Sequence, residues 1–298
     1  MSSVKNYLSL IKFSHTLFAL PFAIIGFFLG VYHQQTLSVS DPVTNSELAI
    51  KFVLVLICMV TARSAAMAFN RYLDRHFDAQ NPRTAIREIP KGLIAANNAL
   101  RFVIACCVLF MITCWFINAL CFYLSPVALF VILFYSYTKR FTALCHMVLG
   151  VGLSLAPIGA FLAVTGHFAL LPLLFSGAVI CWVSGFDIIY ALQDVEFDQS
   201  RQLYSVPVWL GKKNALMVSS LLHLVSALFV LTAGLYGLFG YWYWLGTALF
   251  TGMLIYQHAI VKPHDLSRVN LAFMTANGIA SVMFSLFVIT DMIVMHKH

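Results

Sequence analysis

The chain of 298 residues is too apolar for a water-soluble domain, because 61% of its residues are hydrophobic and only 10% are charged. Its mean hydropathy of +0.88 predicts a polytopic membrane protein. The net charge of +7 then indicates membrane topology, since no basic run with interleaved exposed aromatic residues points to nucleic acid.

Apolar runs predict an all-α polytopic membrane protein with nine transmembrane helices in a single domain over residues 1–298. A bilayer core of about 30 Å needs about 20 apolar residues per helix. The runs lie near residues 13–32, 48–69, 100–118, 121–137, 143–164, 170–190, 215–236, 241–261 and 269–295, and the second continues in polar form to about residue 78. Only Asn118 and its neighbours separate the third run from the fourth, which leaves eight spans as the alternative.

The lysines and arginines are distributed asymmetrically over these nine spans. The amino terminus and the loops after the even-numbered helices hold fifteen of the 18 cationic residues. The opposite side has only Lys51 and Lys297, and Arg63 lies within a helix. Because cytoplasmic segments carry the excess of lysine and arginine, this pattern supports nine spans and predicts that the charged loops face the cytoplasm.

A stripe of oxygen ligands is predicted at the polar end of the second helix. Asn70, Asp74 and Asp78 recur every four residues and share one helical face if the helix continues. Arg63, seven residues before Asn70, lies on the same face, and five more cations follow: Arg71, Arg75, Arg83, Arg87 and Lys91. Carboxylates take hard divalent cations and arginines take phosphate oxygens, so this segment predicts a pyrophosphate site.

Arg63 needs a separate explanation, because an unpaired guanidinium in hydrocarbon is costly. It must meet an anion or face a wet cavity; an internal salt bridge to Asp74 or another carboxylate of the stripe is the alternative. Lys139 and Arg140, in the loop after the fourth helix, are either phosphate ligands or positively charged anchors on the cytoplasmic side.

A second acidic stripe closes the sixth helix. Asp187, Tyr190, Asp194 and Asp198 fall at i, i+3, i+7 and i+11, which is again one helical face, and Arg201 follows them. Both stripes follow an even-numbered helix, so they are expected at the same membrane depth on the same side. The ligand oxygens of the two stripes are therefore expected to meet at one mouth of the bundle. The histidines share no metal-like spacing and are interpreted as packing residues, although His15 and His146 border this mouth.

These motifs resemble the UbiA superfamily of intramembrane aromatic prenyltransferases over nearly the whole chain. The first family signature, NxxxDxxxD, corresponds to Asn70, Asp74 and Asp78, and the second to Asp187, Tyr190, Asp194 and Asp198. Flanking segments also resemble the family: Arg63-Ser64-Ala65, Asn81-Pro82-Arg83-Thr84, Arg87-Glu88-Ile89-Pro90-Lys91-Gly92, Thr138-Lys139-Arg140-Phe141-Thr142 and Ser205-Val206-Pro207.

The resemblance implies nine helices around a central cavity, with cytoplasmic capping loops, in a bacterial-type inner membrane. Two Mg²⁺ ions would be held by Asn70, Asp74, Asp78, Asp194 and Asp198. The polyprenyl pyrophosphate donor and the aromatic acid acceptor would be bound by Arg63, Asn70, Arg83, Arg87, Lys139, Arg140 and Arg201. The branch acting on 4-hydroxybenzoate and the related menaquinone branch acting on a dihydroxynaphthoate both match, which implies ubiquinone or menaquinone biosynthesis.

The expected reaction is Mg-dependent ionisation of the donor followed by electrophilic aromatic substitution. Asp74 and Asp194 are expected to act with the metal, and Asp187 or Tyr190 is the candidate to orient the acceptor hydroxyl. A structural hydrogen bond at the helix end is the alternative role for these last two residues. The competing function is a secondary transporter with a cytoplasmic acidic cation site, but eight of the eleven acidic residues lie in loops or at cytoplasmic helix ends.

Overall fold

The computed structural model describes residues 2–11, 18–36 and 44–295. Its helices, in chain order, are α1 (Ser2–Leu10), α2 (Leu20–Thr36), α3 (Asn45–Leu73), α4 (Arg75–Gln80), α5 (Ala96–Ile117), α6 (Ala119–Thr138), α7 (Cys145–Thr165), α8 (Leu170–Ala191), α9 (Val195–Ser200), α10 (Val206–Tyr236), α11 (Tyr241–Ile260) and α12 (Asn277–Met295). A 3₁₀ turn (Leu192–Asp194) joins α8 to α9, and a π-helical segment (Leu271–Ala276) leads into α12. The described ranges contain no β-strand, which confirms the all-α prediction.

Nine long helices in the described ranges overlap the nine predicted ones: α2, α3, α5, α6, α7, α8, α10, α11 and α12. Seven segments of the described chain are long and apolar enough to cross a membrane, so the integral membrane assignment is confirmed but the count of nine spans is not. α2 and α11 are not among the seven. The described α2 has 17 residues, and α11 contains Gln257, His258 and several tyrosines and tryptophans that reduce its hydropathy. Residues 12–17, with Lys12 and His15, and Lys297 lie outside the described residues.

Asn118 separates α5 from α6, at the boundary that was weakest in the sequence. Its backbone is extended, with φ −169° and ψ 166°, and its side-chain oxygen accepts a hydrogen bond from the N–H of Cys121 at 2.8 Å. Its amide nitrogen donates to the carbonyl of Leu162 in α7 at 2.8 Å. An asparagine that caps the start of a helix in this way satisfies one of the N–H groups without an intrahelical partner. The third and fourth predicted helices are therefore two elements.

α8 lies at the centre of the bundle. The most apolar stretch of the segment that contains it is 67% buried, compared with 17% for α6. Trp182 of α8 is fully buried and packs among the rings of Phe22, Phe250 and Phe186. α5 and α6 instead expose large apolar side chains, including Trp115, Phe116, Tyr123 and Phe130. Such an exposed apolar face suits contact with lipid.

Two helix boundaries near the acidic motifs differ from the prediction. The second predicted helix is interrupted at Asp74, where φ is −87° and ψ is 4°, so α3 ends at Leu73 and α4 follows it. The seventh predicted helix begins at Val206 rather than near residue 215. Ser205 caps it by accepting from the N–H of Val208, and Gly211, with φ 77°, kinks the helix after its first turn. Glycine tolerates this left-handed backbone. The polar sequence Gly211-Lys212-Lys213 is typical of a loop, which is why the predicted helix begins too late.

Candidate active site

The two acidic stripes line one cavity at the end of the bundle where α3 and α8 end. The cavity has a volume of about 170 Å³. Residues from both stripes, from the loop after α4 and from the α6–α7 loop line it: Asn70, Asp74, Asp78, Arg83, Arg87, Lys139, Arg140, Asp187, Tyr190, Asp194 and Asp198. The N–H of Asp74 donates to the carbonyl of Asn70 at 2.9 Å, and that of Asp78 donates to the carbonyl of Asp74 at 2.8 Å. One-turn spacing therefore continues across the break at Asp74.

Four aspartates in the cavity each form an ion pair with a cation from a loop. The pairs are Arg140 Nη2 with Asp74 (2.8 Å), Arg87 Nη1 with Asp78 (2.6 Å), Arg83 Nη2 with Asp194 (2.5 Å) and Lys139 Nζ with Asp198 (2.8 Å). The side chain of Asp198 is only 1% exposed, so Lys139 is its main compensation for burial. Because removing carboxylates from water is costly, the four cations offset part of the cost of burying the four aspartates at one place.

Arg83 joins the two halves of the site. Its Nη2 and Nε donate to the two carboxylate oxygens of Asp194, the latter at 3.0 Å, and its Nη1 donates to the Tyr190 hydroxyl at 2.9 Å. Asn81 supports this arrangement by accepting from the N–H of Arg83 at 2.9 Å. A planar guanidinium that binds both oxygens of a carboxylate fixes distance and orientation together. The loop after α4 is thereby anchored on the end of α8.

The carboxyls of the first stripe lie in an environment that disfavours their ionised form. Burial raises the pKa of Asp78 to about 7, against the opposing charge of Arg71. Burial also raises the pKa of Asp74, although Arg140 and Asn70 oppose the shift. For Lys139, burial acts to lower the pKa, but Asp198 outweighs it and the pKa is raised. Added positive charge in the cavity would therefore be favourable for these carboxyls.

Asp187 and Tyr190 line the same cavity and are held by residues that supply no carboxylate to it. Asp187 Oδ2 lies 2.7 Å from Nδ1 of His146, near the start of α7. The ring of Tyr190 lies 4.2 Å from the ring of Phe273 in the π-helical segment. Phe273 also packs against Phe186 of α8. Asp187 and Tyr190 therefore line the cavity in positions that are restrained by His146 and Phe273, respectively.

A second, larger cavity of about 370 Å³ extends between α3, α5, α6 and α7. Its lining is mostly apolar, and Arg63 is the charged residue among the described residues that line it. No carboxylate in the described ranges forms an ion pair with Arg63, and its buried Nε has no hydrogen-bond partner there. The predicted alternative, a salt bridge to Asp74 or another stripe carboxylate, is therefore not present. Tyr135 lines both cavities and marks where they adjoin.

Nearly all the predicted site residues line the acidic cavity, with two exceptions. Arg63 lines the apolar cavity instead, although it shares a helical face with Asn70, because it lies about two turns deeper in α3. Arg201 is exposed beyond α9, its guanidinium lies 5.9 Å from the ring centroid of Phe197, and it does not line the cavity. Neither Asn81 nor Tyr135 is predicted as a site residue by the sequence, and His146 is predicted to be a packing residue. The only signal for His146 was its position at the predicted mouth.

The donor set fits a hard divalent cation. Four carboxylates and the Asn70 amide put oxygen atoms on one cavity, which is the ligand chemistry that Mg²⁺ prefers. As they stand, no three Asp, Glu, His or Cys side chains of the described chain are arranged to hold a metal ion. The carboxylates are instead directed at the four cations, so a metal would have to take oxygens from these ion pairs.

Comparison with known proteins agrees with the resemblance found in the sequence motifs. The model of the UbiA prenyltransferase family matches residues 19–279. The 4-hydroxybenzoate octaprenyltransferase of Nitrosospira multiformis is 28% identical over 246 residues, which cover 83% of each chain. The protein of the same description from Francisella tularensis subsp. novicida is 28% identical over 237 residues, covering 80% of this chain and 83% of its own.

Solved structures share the architecture. The apo structure of a UbiA homologue from Aeropyrum pernix K1 has a TM-score of 0.77 and 28% identity, and covers 95% of this chain and 98% of its own. A UbiA homologue from Archaeoglobus fulgidus bound to DMAPP and Mg²⁺ has a TM-score of 0.70 and 20% identity, with 97% and 99% coverage. At this lower identity the similarity establishes the fold alone.

Divalent metal binding is expected to depend on carboxylates from both stripes. Asp74→Asn and Asp194→Asn should each weaken Mn²⁺ binding by about tenfold or more, because each removes a charged oxygen ligand. Electron paramagnetic resonance of the purified protein, titrated with Mn²⁺ in the presence of inorganic diphosphate, measures this affinity. Asp265→Asn is the matched control, since Asp265 is exposed and bonded to Ser267. Wild-type affinity in either stripe variant would contradict a shared site.

Proposed function

The chain belongs to the UbiA prenyltransferase family, and on that premise we propose that it transfers a polyprenyl chain from polyprenyl diphosphate to an aromatic hydroxy acid. The observation that carries this proposal is the meeting of two acidic stripes and four loop cations on one cavity beside a larger apolar cavity. The relatives named 4-hydroxybenzoate octaprenyltransferase support 4-hydroxybenzoate as the acceptor and a quinone pathway as the context. A dihydroxynaphthoate is the second candidate acceptor.

The diphosphate of the donor fits the cationic side of the acidic cavity. Arg83, Arg87, Lys139 and Arg140 supply donors for phosphate oxygens, and each is bound to a carboxylate that the diphosphate would replace. The carboxylates released in this exchange, with Asn70, would hold the Mg²⁺ ions. Bound Mg²⁺ would supply positive charge to the departing diphosphate, as a Lewis acid. The ion pairs therefore already hold, in one cavity, the cations that would bind the diphosphate and the carboxylates that would bind Mg²⁺.

Transfer breaks the bond between C1 of the prenyl chain and the diphosphate oxygen, and the diphosphate leaves with the electron pair. The allylic cation forms a carbon–carbon bond to a ring carbon ortho to the acceptor hydroxyl, and that carbon loses its proton to a base. Asp187, which lines the acidic cavity, is the proposed base, and Tyr190 orients the hydroxyl. The apolar cavity would hold the prenyl chain and keep water from the cation.

The carboxylate of the acceptor would be bound by Arg63. This guanidinium lies in an apolar cavity without an ionic partner in the described chain, and an arriving carboxylate would offset its burial. Tyr135, which lines both cavities, would then separate the acceptor carboxylate from the carboxylates of the acidic site. A role for Arg201 in binding substrate stays a prediction of the sequence, since its side chain lies away from both cavities.

The site is proposed to face the cytoplasm of a bacterial-type inner membrane. In the topology predicted from the sequence, fifteen of the 18 lysines and arginines belong to segments on the same side as the two acidic stripes, as expected for a cytoplasmic face. A carboxylated acceptor would be drawn to this side by the excess positive charge. The transporter alternative has no support from the family, and the acidic residues that suggested it form ion pairs at one end of the bundle.

Turnover of the purified protein tests the proposed function. With Mg²⁺, a polyprenyl diphosphate and 4-hydroxybenzoate, the wild type should release diphosphate and form a C-prenylated acid, and excess EDTA should stop both until Mg²⁺ is restored. Asp74→Ala and Asp194→Ala should abolish turnover while retaining the helical content and elution volume of the wild type in detergent, because charge stabilisation of the leaving group is lost. A parallel assay with dihydroxynaphthoate distinguishes the acceptors. Diphosphate release without a prenylated product, or full activity in either variant, would exclude the proposal.

Arg63→Ala should raise the KM for the carboxylated acceptor by about 30-fold or more, since truncating one partner of a buried ion pair costs about 2 kcal/mol or more. The KM for the polyprenyl diphosphate should not change. A matched phenol without the carboxylate should react equally with the wild type and the variant. Lys213→Ala, at an exposed position in α10, is the control for a simple loss of charge. An unchanged acceptor KM in Arg63→Ala would rule out this role.

A further inference from the structure

His146 makes two hydrogen bonds that have no role in the proposed reaction as described so far. It is the second residue of α7 and is 3% exposed. Its Nδ1 lies 2.7 Å from Oδ2 of Asp187 in α8, and its Nε2 accepts a hydrogen bond from the backbone N–H of Val206 at 3.3 Å. The imidazole therefore bridges α8 and the first residue of α10. One ring nitrogen thus contacts a carboxylate and the other a backbone N–H.

The contact with Val206 determines which nitrogen of His146 carries the proton. A backbone N–H can only donate, so Nε2 must present its lone pair. The proton of the neutral imidazole is then on Nδ1, where it donates to the carboxylate of Asp187. The Val206 N–H belongs to the first turn of α10 and has no acceptor within its own helix, so this bond also satisfies a group that would otherwise lack a partner. The backbone N–H of Val206 therefore fixes the tautomer of His146, and His146 in turn donates to Asp187.

Close packing of α7 on α8 brings His146 within hydrogen-bond distance of Asp187. A Cβ on Gly150 would lie 2.5 Å from both the carbonyl oxygen of Ile180 and Oγ of Ser184, so glycine is required for this helix approach. Ser184 Oγ also donates to the carbonyl of His146 at 3.1 Å. His146 lies one turn before Gly150, and Asp187 lies one turn after Ser184. The approach of the two helix backbones therefore brings the imidazole and the carboxylate together.

We propose that His146 is a positioning residue for Asp187. It binds Oδ2 through Nδ1–H and leaves Oδ1 of this cavity-lining carboxylate available to receive the ring proton of the acceptor. This inference rests on the proposed function, in which Asp187 is the base. Oδ1 has no hydrogen-bond partner within the described chain, whereas Oδ2 has His146. Without His146, the carboxylate would be free to turn toward Lys139 and Arg140, which line the same cavity, and would be lost to the acceptor.

Three variants at position 146 separate positioning from simple structural support. His146→Ala should lower kcat by about 100-fold, the lower end of what a general base contributes, with little change in the KM for donor or acceptor. His146→Asn should recover much of this loss, because its amide can donate from near the position of Nδ1. His146→Gln extends the amide farther and should recover less. Equal loss in all three variants, accompanied by a lower unfolding temperature, would contradict positioning.

A double-mutant cycle tests whether His146 acts through Asp187. His146→Ala should reduce kcat little further when introduced into Asp187→Asn, because residues that act as one unit are not additive. Mn²⁺ affinity, measured with inorganic diphosphate, should be unchanged in His146→Ala, since Asp187 is not among the proposed metal ligands. Independent losses that multiply in the double variant would overturn the proposal.

The tautomer supplies a readout that does not depend on turnover. Nitrogen NMR of protein labelled with ¹⁵N-histidine, with the signal assigned by its loss in His146→Asn, should show a neutral ring protonated at Nδ1. A proton on Nε2 would refute the arrangement even if the enzyme is active. An Nδ1 proton in a protein that forms no prenylated product would retain the contact with Asp187 but exclude both the proposed function and the catalytic role of His146.

Discussion

Burying several carboxylates at one end of a membrane bundle is unfavourable unless positive charge accompanies them, and this constraint organises the molecule. Asp74, Asp78, Asp194 and Asp198 meet this requirement with four loop cations. The pair of Arg83 with Asp194 joins residues 111 positions apart and ties the loop after α4 to the end of α8. The ion pairs that make the buried carboxylates tolerable therefore also assemble the site.

In the proposed function, the same pairs would allow one cavity to take a metal ion and a diphosphate together. Each cation that moves to a phosphate oxygen leaves a carboxylate available to a divalent ion, so both ligands replace interactions that already exist. Around this polar centre the fold supplies rigidity. Tyr190 is packed on Phe273, Asp187 is bonded to His146, and a large apolar cavity adjoins through Tyr135. Under this proposal the cations and carboxylates would change partners while the packed side chains around them keep their positions.

The sequence was sufficient for the parts governed by local periodicity. Apolar runs located the long helices, and four-residue spacing identified Asn70, Asp74 and Asp78 as one face, because both signals depend on neighbours along a helix. The sequence could not predict which cation pairs with which carboxylate across distant loops, since any of several arginines could have paired with Asp194. The role of Arg63 required knowing its depth in the bundle, and the start of α10 was hidden by the left-handed Gly211. His146 emerged only when α7 and α8 were seen to approach at Gly150.

A structure determined with Mg²⁺ and a non-hydrolysable polyprenyl diphosphate analogue would show whether the cations leave their carboxylates for the diphosphate. We expect Arg83 Nη2 and Lys139 Nζ to lie within about 3.2 Å of phosphate oxygens. Asp194 and Asp198 should then have turned from these cations to the metal. Intact ion pairs at all four aspartates, with the analogue bound elsewhere, would contradict the exchange and the site built on it.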